Sequence, residues 1–197
     1  KRQYLSKGLY GMTVKTTVTP LDRNRVGLNF AVDEGDIAKI HKINIVGASA
    51  FKESVLLEEF ELAEGGWFSW YTKDNQYSKQ KLTADLENLR SFYLNRGYLE
   101  FAVESTQVSI TPDKKDIYIT VSVSEGERYI VSSVKLAGEL MLPEEEFRKA
   151  MKVKPGDVFS RQHLNESTKA ISDRLSARGY AFANVNAAPE LDKEKRQ

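Results

Sequence analysis

Histidine chemistry would have to come from His41 and His163, the two histidines of a 197-residue chain, and they stand 122 positions apart. A metal site or a histidine base needs carboxylates or a nucleophile converging on the ring. No metal-ligand or nucleophile motif accompanies either residue. Both read as solvated or locally bonded side chains, so no catalytic residue and no metal ligand is assigned. Gly65-Gly66 is a lone pair in a loop, whereas a phosphate cradle wants a strand before it and a helix after. Glu144-Glu145-Glu146 follow Pro143, and proline at the first helical position with carboxylates behind it reads as a helix start, since the carboxylates meet the positive end of the helix dipole. There is no cysteine, which removes disulfides and thiolate sites. No cofactor is expected.

Two stretches point to binding instead. Trp67, Phe68, Trp70 and Tyr71 crowd one loop. They are a candidate aromatic patch, which either tucks over neighbouring helices as a satellite core or stands exposed and anchors a partner. The second stretch is a strand with a fault in its pattern. Phe101 and Val103 share one parity, while Val108 and Ile110 share the other. Side chains alternate strictly along a strand, so the switch implies one extra residue, a bulge between Glu104 and Gln107. Val14, Thr16 and Val18, in a similar strand nearer the amino terminus, keep step. Phe101, Val103, Glu104, Ser105, Thr106, Gln107 and Val108 are therefore the candidate partner-binding residues. On an edge strand the bulge either blunts aggregation or sets the register for an incoming strand.

The elements that hold these residues follow from periodicity. Ile40, Ile43 and Ile45 before Gly47 predict a strand. Lys52 to Phe60 predict a helix burying Val55, Leu56 and Phe60. After a loop from Ala63 to Gln76, a second helix from Lys79 to Asn95 carries the stripe Leu82, Leu86, Leu89 and Tyr93. Ser78 is its N-cap and Gly97 its left-handed terminus. A hairpin turning at Pro112 to Lys115 then leads into the alternating strand Ile117, Ile119, Val121, Val123. The order is βααββ.

That order is repeated. Arg96-Gly97-Tyr98 returns as Arg178-Gly179-Tyr180, 82 positions on, and Glu34-Gly35 as Glu125-Gly126, 91 positions on. A period of this length suits a small domain with its own core rather than a solenoid. The expected division is 1–37, the last part of one domain with a hairpin turned at Pro20 to Arg25; 38–129, a complete domain; and 130–197, a domain with strand, two helices and a strand around Phe182–Val185, lacking its last strand. Glu34, Gly35, Glu125 and Gly126 are the inter-domain hinges, with linkers short enough to restrict the angles. Lys1 to Gly8 read as a helix end, so an interior or processed piece is expected, with self-association through the two incomplete copies. The formal charge of +1 gives no field for nucleic acid, and no apolar run reaches the ~20 residues that span a bilayer as a helix.

Tandem βααββ units punctuated by helix-Gly-Tyr and by Glu-Gly after the last strand resemble the POTRA domain family. Val18-Thr-Pro-Leu-Asp-Arg-Asn-Arg-Val26, Ile43-Asn-Ile-Val-Gly47, Gln80-Lys-Leu-Thr-Ala-Asp-Leu-Glu87 and Ser105-Thr-Gln-Val-Ser-Ile-Thr-Pro-Asp113 are similar to the periplasmic arms of outer-membrane β-barrel assembly factors. The resemblance implies an α+β fold of tandem POTRA modules, each a three-stranded mixed sheet covered by two helices. By it the pieces are the end of a second module, a whole third and most of a fourth. It implies no enzyme, a place on the periplasmic face of the Gram-negative outer membrane, and a scaffold that binds unfolded outer-membrane proteins by β-augmentation and docks accessory lipoproteins. The membrane would be met through a barrel outside these residues. It also implies that the faulted strand lies at the sheet edge, which favours the binding reading of the bulge. The POTRA arm of a dedicated-substrate secretion transporter is the alternative, and an enzyme assembled between domains a third reading. The Trp67–Tyr71 loop is richer in aromatics than the family pattern calls for.

Overall fold

A computed structural model describes residues 4, 9–35, 37–62 and 76–197. The candidate aromatic patch, Trp67, Phe68, Trp70 and Tyr71, lies outside the described residues. The chain divides into two compact units, Lys1–Asn88 with Val103–Val123, and Leu89–Ala102 with Ser124–Gln197.

The first unit opens with an antiparallel hairpin of β1 (Thr13–Leu21) and β2 (Arg25–Asp33), paired from Thr13↔Asp33 to Leu21↔Arg25. Arg23 and Asn24 make the turn with φ of 62° and 58°, the left-handed pair that matches strand twist in a tight hairpin. The turn is tighter than expected, because Pro20 lies inside β1 opposite Val26.

A three-stranded sheet follows, built from β3 (Lys39–Val46), β4 (Ala102–Ile110) and β5 (Asp116–Ser124) in the order β3-β5-β4. β3 runs parallel to β5. β4 and β5 are joined through Thr111–Lys115, too short for anything but an antiparallel hairpin. β5 therefore sits in the middle. Its residues Ile117, Ile119, Val121 and Val123 are buried with Ile40, Ile43 and Ile45 of β3. The register of β3 on β5 shifts between Ile40 and Lys42. That shift explains how Ile40 and Ile43, of opposite parity, both enter the core.

Helix α1 (Glu53–Leu57) is shorter than expected, and it buries Leu56 while Val55 is exposed. Its Glu53 carboxylate accepts the Ile45 N–H at 2.8 Å, fastening the helix to β3. Helix α2 (Lys79–Leu94) begins at the predicted cap, where Ser78 Oγ accepts the Lys81 N–H. Its buried stripe is Leu82, Asp85, Leu89, Phe92 and Tyr93, with Leu86 only half-buried at the flank.

Asp85 is fully buried, and it accepts the N–H groups of Glu61 at 2.7 Å and Leu62 at 3.0 Å. Burial pushes its carboxyl above the usual range, although both backbone donors pull the other way. The device recurs. Ser167, which is Asp85 plus 82, accepts the N–H of Lys152, which is Glu61 plus 91, at 2.8 Å.

In the second unit the end of α2 closes at Gly97 with φ of 94°, and the N–H groups of Arg96 and Tyr98 both reach the Tyr93 carbonyl. Helices α3 (Glu144–Ala150) and α4 (Arg161–Ala177) follow. Pro143 is the N-cap of α3 rather than its first residue, and Ser160 Oγ caps α4 by accepting the His163 N–H at 3.2 Å. Phe147, Ile171 and Leu175 form a core, with Leu136 and Val185 packed against it. The opening strand expected in 130–197 and the one around Phe182–Val185 are not formed. The reason lies in the strand order, since in the complete sheet both counterparts pair only with β5, and residues 130–197 hold no counterpart of β5.

Candidate client-binding edge

An edge strand can accept a further strand only where its outer backbone groups are open. β3 and β4 are the two edges of the three-stranded sheet. The outer side of β3 is covered at two points. Ile45 donates its N–H to Glu53, and Lys39 forms an antiparallel bridge with Gln76. β4 has β5 on one side and, among the described residues, no strand on the other.

The candidate residues divide along β4. Phe101, just before the strand, is buried and stacks on Tyr93 with ring centroids 4.1 Å apart. Val103 is half-buried, and Glu104, Ser105, Thr106, Gln107 and Val108 are exposed. β4 runs unbroken through the region of the inferred bulge, as β3 runs unbroken through its own register shift. Exposed Ser, Thr and Gln present hydroxyls and amides with a single charge at Glu104, a surface that does not select for the sign of a partner's charge. The hairpin tip beyond is fixed by Asp113, whose carboxylate is held below its usual range by the Thr111 hydroxyl and the Lys115 N–H.

The four junction residues are not alike. Gly35 and Gly126 share the left-handed conformation, with φ of 66° and 68°. Glu34 is exposed, whereas Glu125 is buried and accepts the Tyr93 hydroxyl at 2.7 Å. Burial and the Glu125 carboxylate push the Tyr93 phenol far above its usual range, so it stays protonated and donates. A Cβ on Gly126 would stand 2.8 Å from Glu100 Cβ. Nearby, Tyr129 donates its N–H to the Gly97 carbonyl at 2.9 Å and its hydroxyl to Glu100 at 2.9 Å, and Asn95 Oδ1 accepts the Gln162 N–H at 2.9 Å. The sequence reading did not find these contacts. Their signal was Glu100, just after Gly97-Tyr98, and Tyr129, just after Glu125-Gly126. Among the described residues, no group of three His, Cys, Asp or Glu is placed to hold a metal ion. His41 lies 4.0 Å from Asp116 and stacks loosely on Tyr118, both on the sheet surface.

A parallel outer strand, two helices and a hairpin, followed by a second helix pair at the repeat spacing, define a class. The model of the POTRA family, described as surface antigen variable number repeat, matches residues 38–126 and again 129–197, and the chain belongs to that family. It is similar to the outer membrane protein assembly factor BamA of Neisseria meningitidis, 33% identical over 190 residues, which are 96% of this chain and 24% of that protein. It is also similar to BamA of Buchnera aphidicola, 30% identical over 195 residues, which are 98% of this chain and 31% of that protein. The chain thus spans about a quarter to a third of the length of these relatives. The crystal structure of Haemophilus influenzae BamA POTRA3-5 shares the fold, with a TM-score of 0.55 and 19% identity over 87% of this chain and 65% of that one. POTRA membership makes these units non-catalytic scaffold modules.

Proposed function

We propose that this chain is part of the periplasmic scaffold of the outer-membrane β-barrel assembly machinery, and that β4 receives extended segments of unfolded outer-membrane proteins by β-augmentation. The observation that carries the reading is the asymmetry of the two sheet edges: β3 is covered at Lys39 and Ile45, whereas among the described residues no strand lies on the outer side of β4. Backbone pairing supplies affinity without demanding a client sequence, which suits a receptor for many unrelated chains. The bulge between Glu104 and Gln107 sets the register in which a client joins. BamB-like and other accessory lipoproteins dock elsewhere, with Trp67–Tyr71 as the proposed anchor. The domains are 1–37, 38–129 and 130–197, joined at Glu34-Gly35 and Glu125-Gly126.

Deleting Thr106 tests the reading. Removing the extra residue straightens the edge and turns different backbone groups outward. Loss of one or two backbone hydrogen bonds, at about 1 kcal/mol each, weakens a labelled transmembrane-strand peptide by roughly tenfold, with the circular dichroism of the chain unchanged. Unaltered affinity in a folded deletion variant would remove the bulge from the account.

A further inference from the structure

The side chains of β4 divide between two faces of the sheet, and the neighbouring β5 tells which is which. The Thr111 N–H donates to the Asp116 carbonyl at 3.0 Å, which sets these two residues opposite each other at the mouth of the antiparallel hairpin. Ile110 then stands opposite Ile117, Ser109 opposite Tyr118, and Val108 opposite Ile119. Opposed residues of an antiparallel pair share one face. Ile117 and Ile119 are fully buried, so Val108 and Ile110 lie on the core face, and Gln107 and Ser109 on the other.

The core face is not closed at this edge. Val108 and Ile110 are 37% and 36% exposed. On β3, the other edge strand, the core-face residues Ile40, Ile43 and Ile45 are 1%, 1% and 9% exposed. The apolar interior of the sheet therefore runs out to the side of β4 that, among the described residues, has no strand beside it. The opposite face is different in kind. From Ser105 to Thr111 there is no charged residue, and Gln107 and Ser109 offer an amide and a hydroxyl.

We infer that Val108 and Ile110 are the side-chain subsite of the β4 edge, and that it takes extended segments whose side chains alternate strictly between apolar and polar. The inference rests on the β-augmentation reading above and adds what that reading leaves open, the side-chain pattern of the client. A strand added to β4 continues the pleat, so every second side chain falls beside Val108 and Ile110 and the others beside Gln107 and Ser109. Apolar side chains in the first row extend the core and take both residues out of water. Polar side chains in the second row meet hydroxyl and amide groups. A slip of one residue turns the apolar row of the client to the polar face, whereas a slip of two does not. Strands of membrane barrels alternate in this way, and membrane-spanning helices, apolar over about 20 consecutive residues, do not. The subsite thus sorts clients by periodicity.

Two labelled peptides of identical composition, one strictly alternating and one with its apolar residues in a block, test this when titrated with the full chain. The alternating peptide binds more tightly by about tenfold or more. Ile110→Ser weakens the alternating peptide by roughly tenfold and narrows the gap between the two, because one apolar contact is lost. Ser109→Ala, on the opposite face, leaves that gap in place. Ile110 is already exposed, so the variant keeps its fold, which circular dichroism checks. Equal affinity for the two peptides, or a preference that ignores Ile110→Ser, overturns the subsite and leaves the β-augmentation reading standing. If neither peptide binds, that reading falls and the subsite with it. A dimer in sedimentation that Ile110→Ser dissociates would assign Val108 and Ile110 to a second copy of the chain, and this too overturns the inference.

Discussion

Leu89→Ala lowers the stability of the chain by about 2–5 kcal/mol, because a fully buried leucine loses its transfer energy and leaves a cavity that its neighbours only partly fill. Small domains have roughly 5–15 kcal/mol in all, so the variant sits near the unfolding threshold and melts well below the parent. Leu86→Ala, three residues earlier on the same helix, costs clearly less, since Leu86 is half-buried. Thermal or urea unfolding of the pair decides the matter. Equal losses would mean that the stripe of α2 is not centred on Asp85 and Leu89.

Gly47→Ala has a comparable effect by another route. Gly47 has φ of 94°, where a side chain costs about 1–2 kcal/mol. The new Cβ would also stand 2.1 Å from the Val123 carbonyl. That oxygen belongs to the backbone of β5, so either the central strand shifts or the turn after β3 opens. The expected loss exceeds 2 kcal/mol. Gly138→Ala provides the control. Its φ is 101° and a Cβ there meets no atom within 4 Å, so only the conformational cost of about 1–2 kcal/mol remains. Unfolding curves in which the two variants lose the same stability would contradict the close approach of Gly47 to β5.

Much of this fold could be read from the sequence because the chain is written more than once. The repeated glycines adopt repeated conformations: Gly97 and Gly179 both have φ of 94°, and Gly47 and Gly138 have 94° and 101°. Helix α2 and strand β5 were plain because their apolar periods, near 3.6 and at 2, leave no other element. What escaped were features that break such patterns. Asp85 lies between Leu82 and Leu89 on the apolar face and is absent from the stripe read from apolar residues alone; it is buried there because it holds the Glu61 and Leu62 N–H groups. The shift in β3 is visible in the parity of Ile40 against Ile43 and Ile45, the same kind of switch that marks β4. The strands expected in 130–197 failed for a non-local reason. Alternation marks a segment that is able to pair, and pairing needs the central strand beside it. At the candidate edge, the sequence identified β4, but not the covering of β3 by Glu53 and Gln76, contacts between residues that no local pattern links.

Amide hydrogen exchange along the sheet, with and without an unfolded outer-membrane β-barrel segment, tests the central claim most directly. Strand pairing on β4 slows exchange at the outward-facing amides between Ala102 and Ile110 and leaves β3, already covered, unchanged. A bound segment that leaves the β4 amides exchanging at their free rate, and protects other residues instead, would contradict the account.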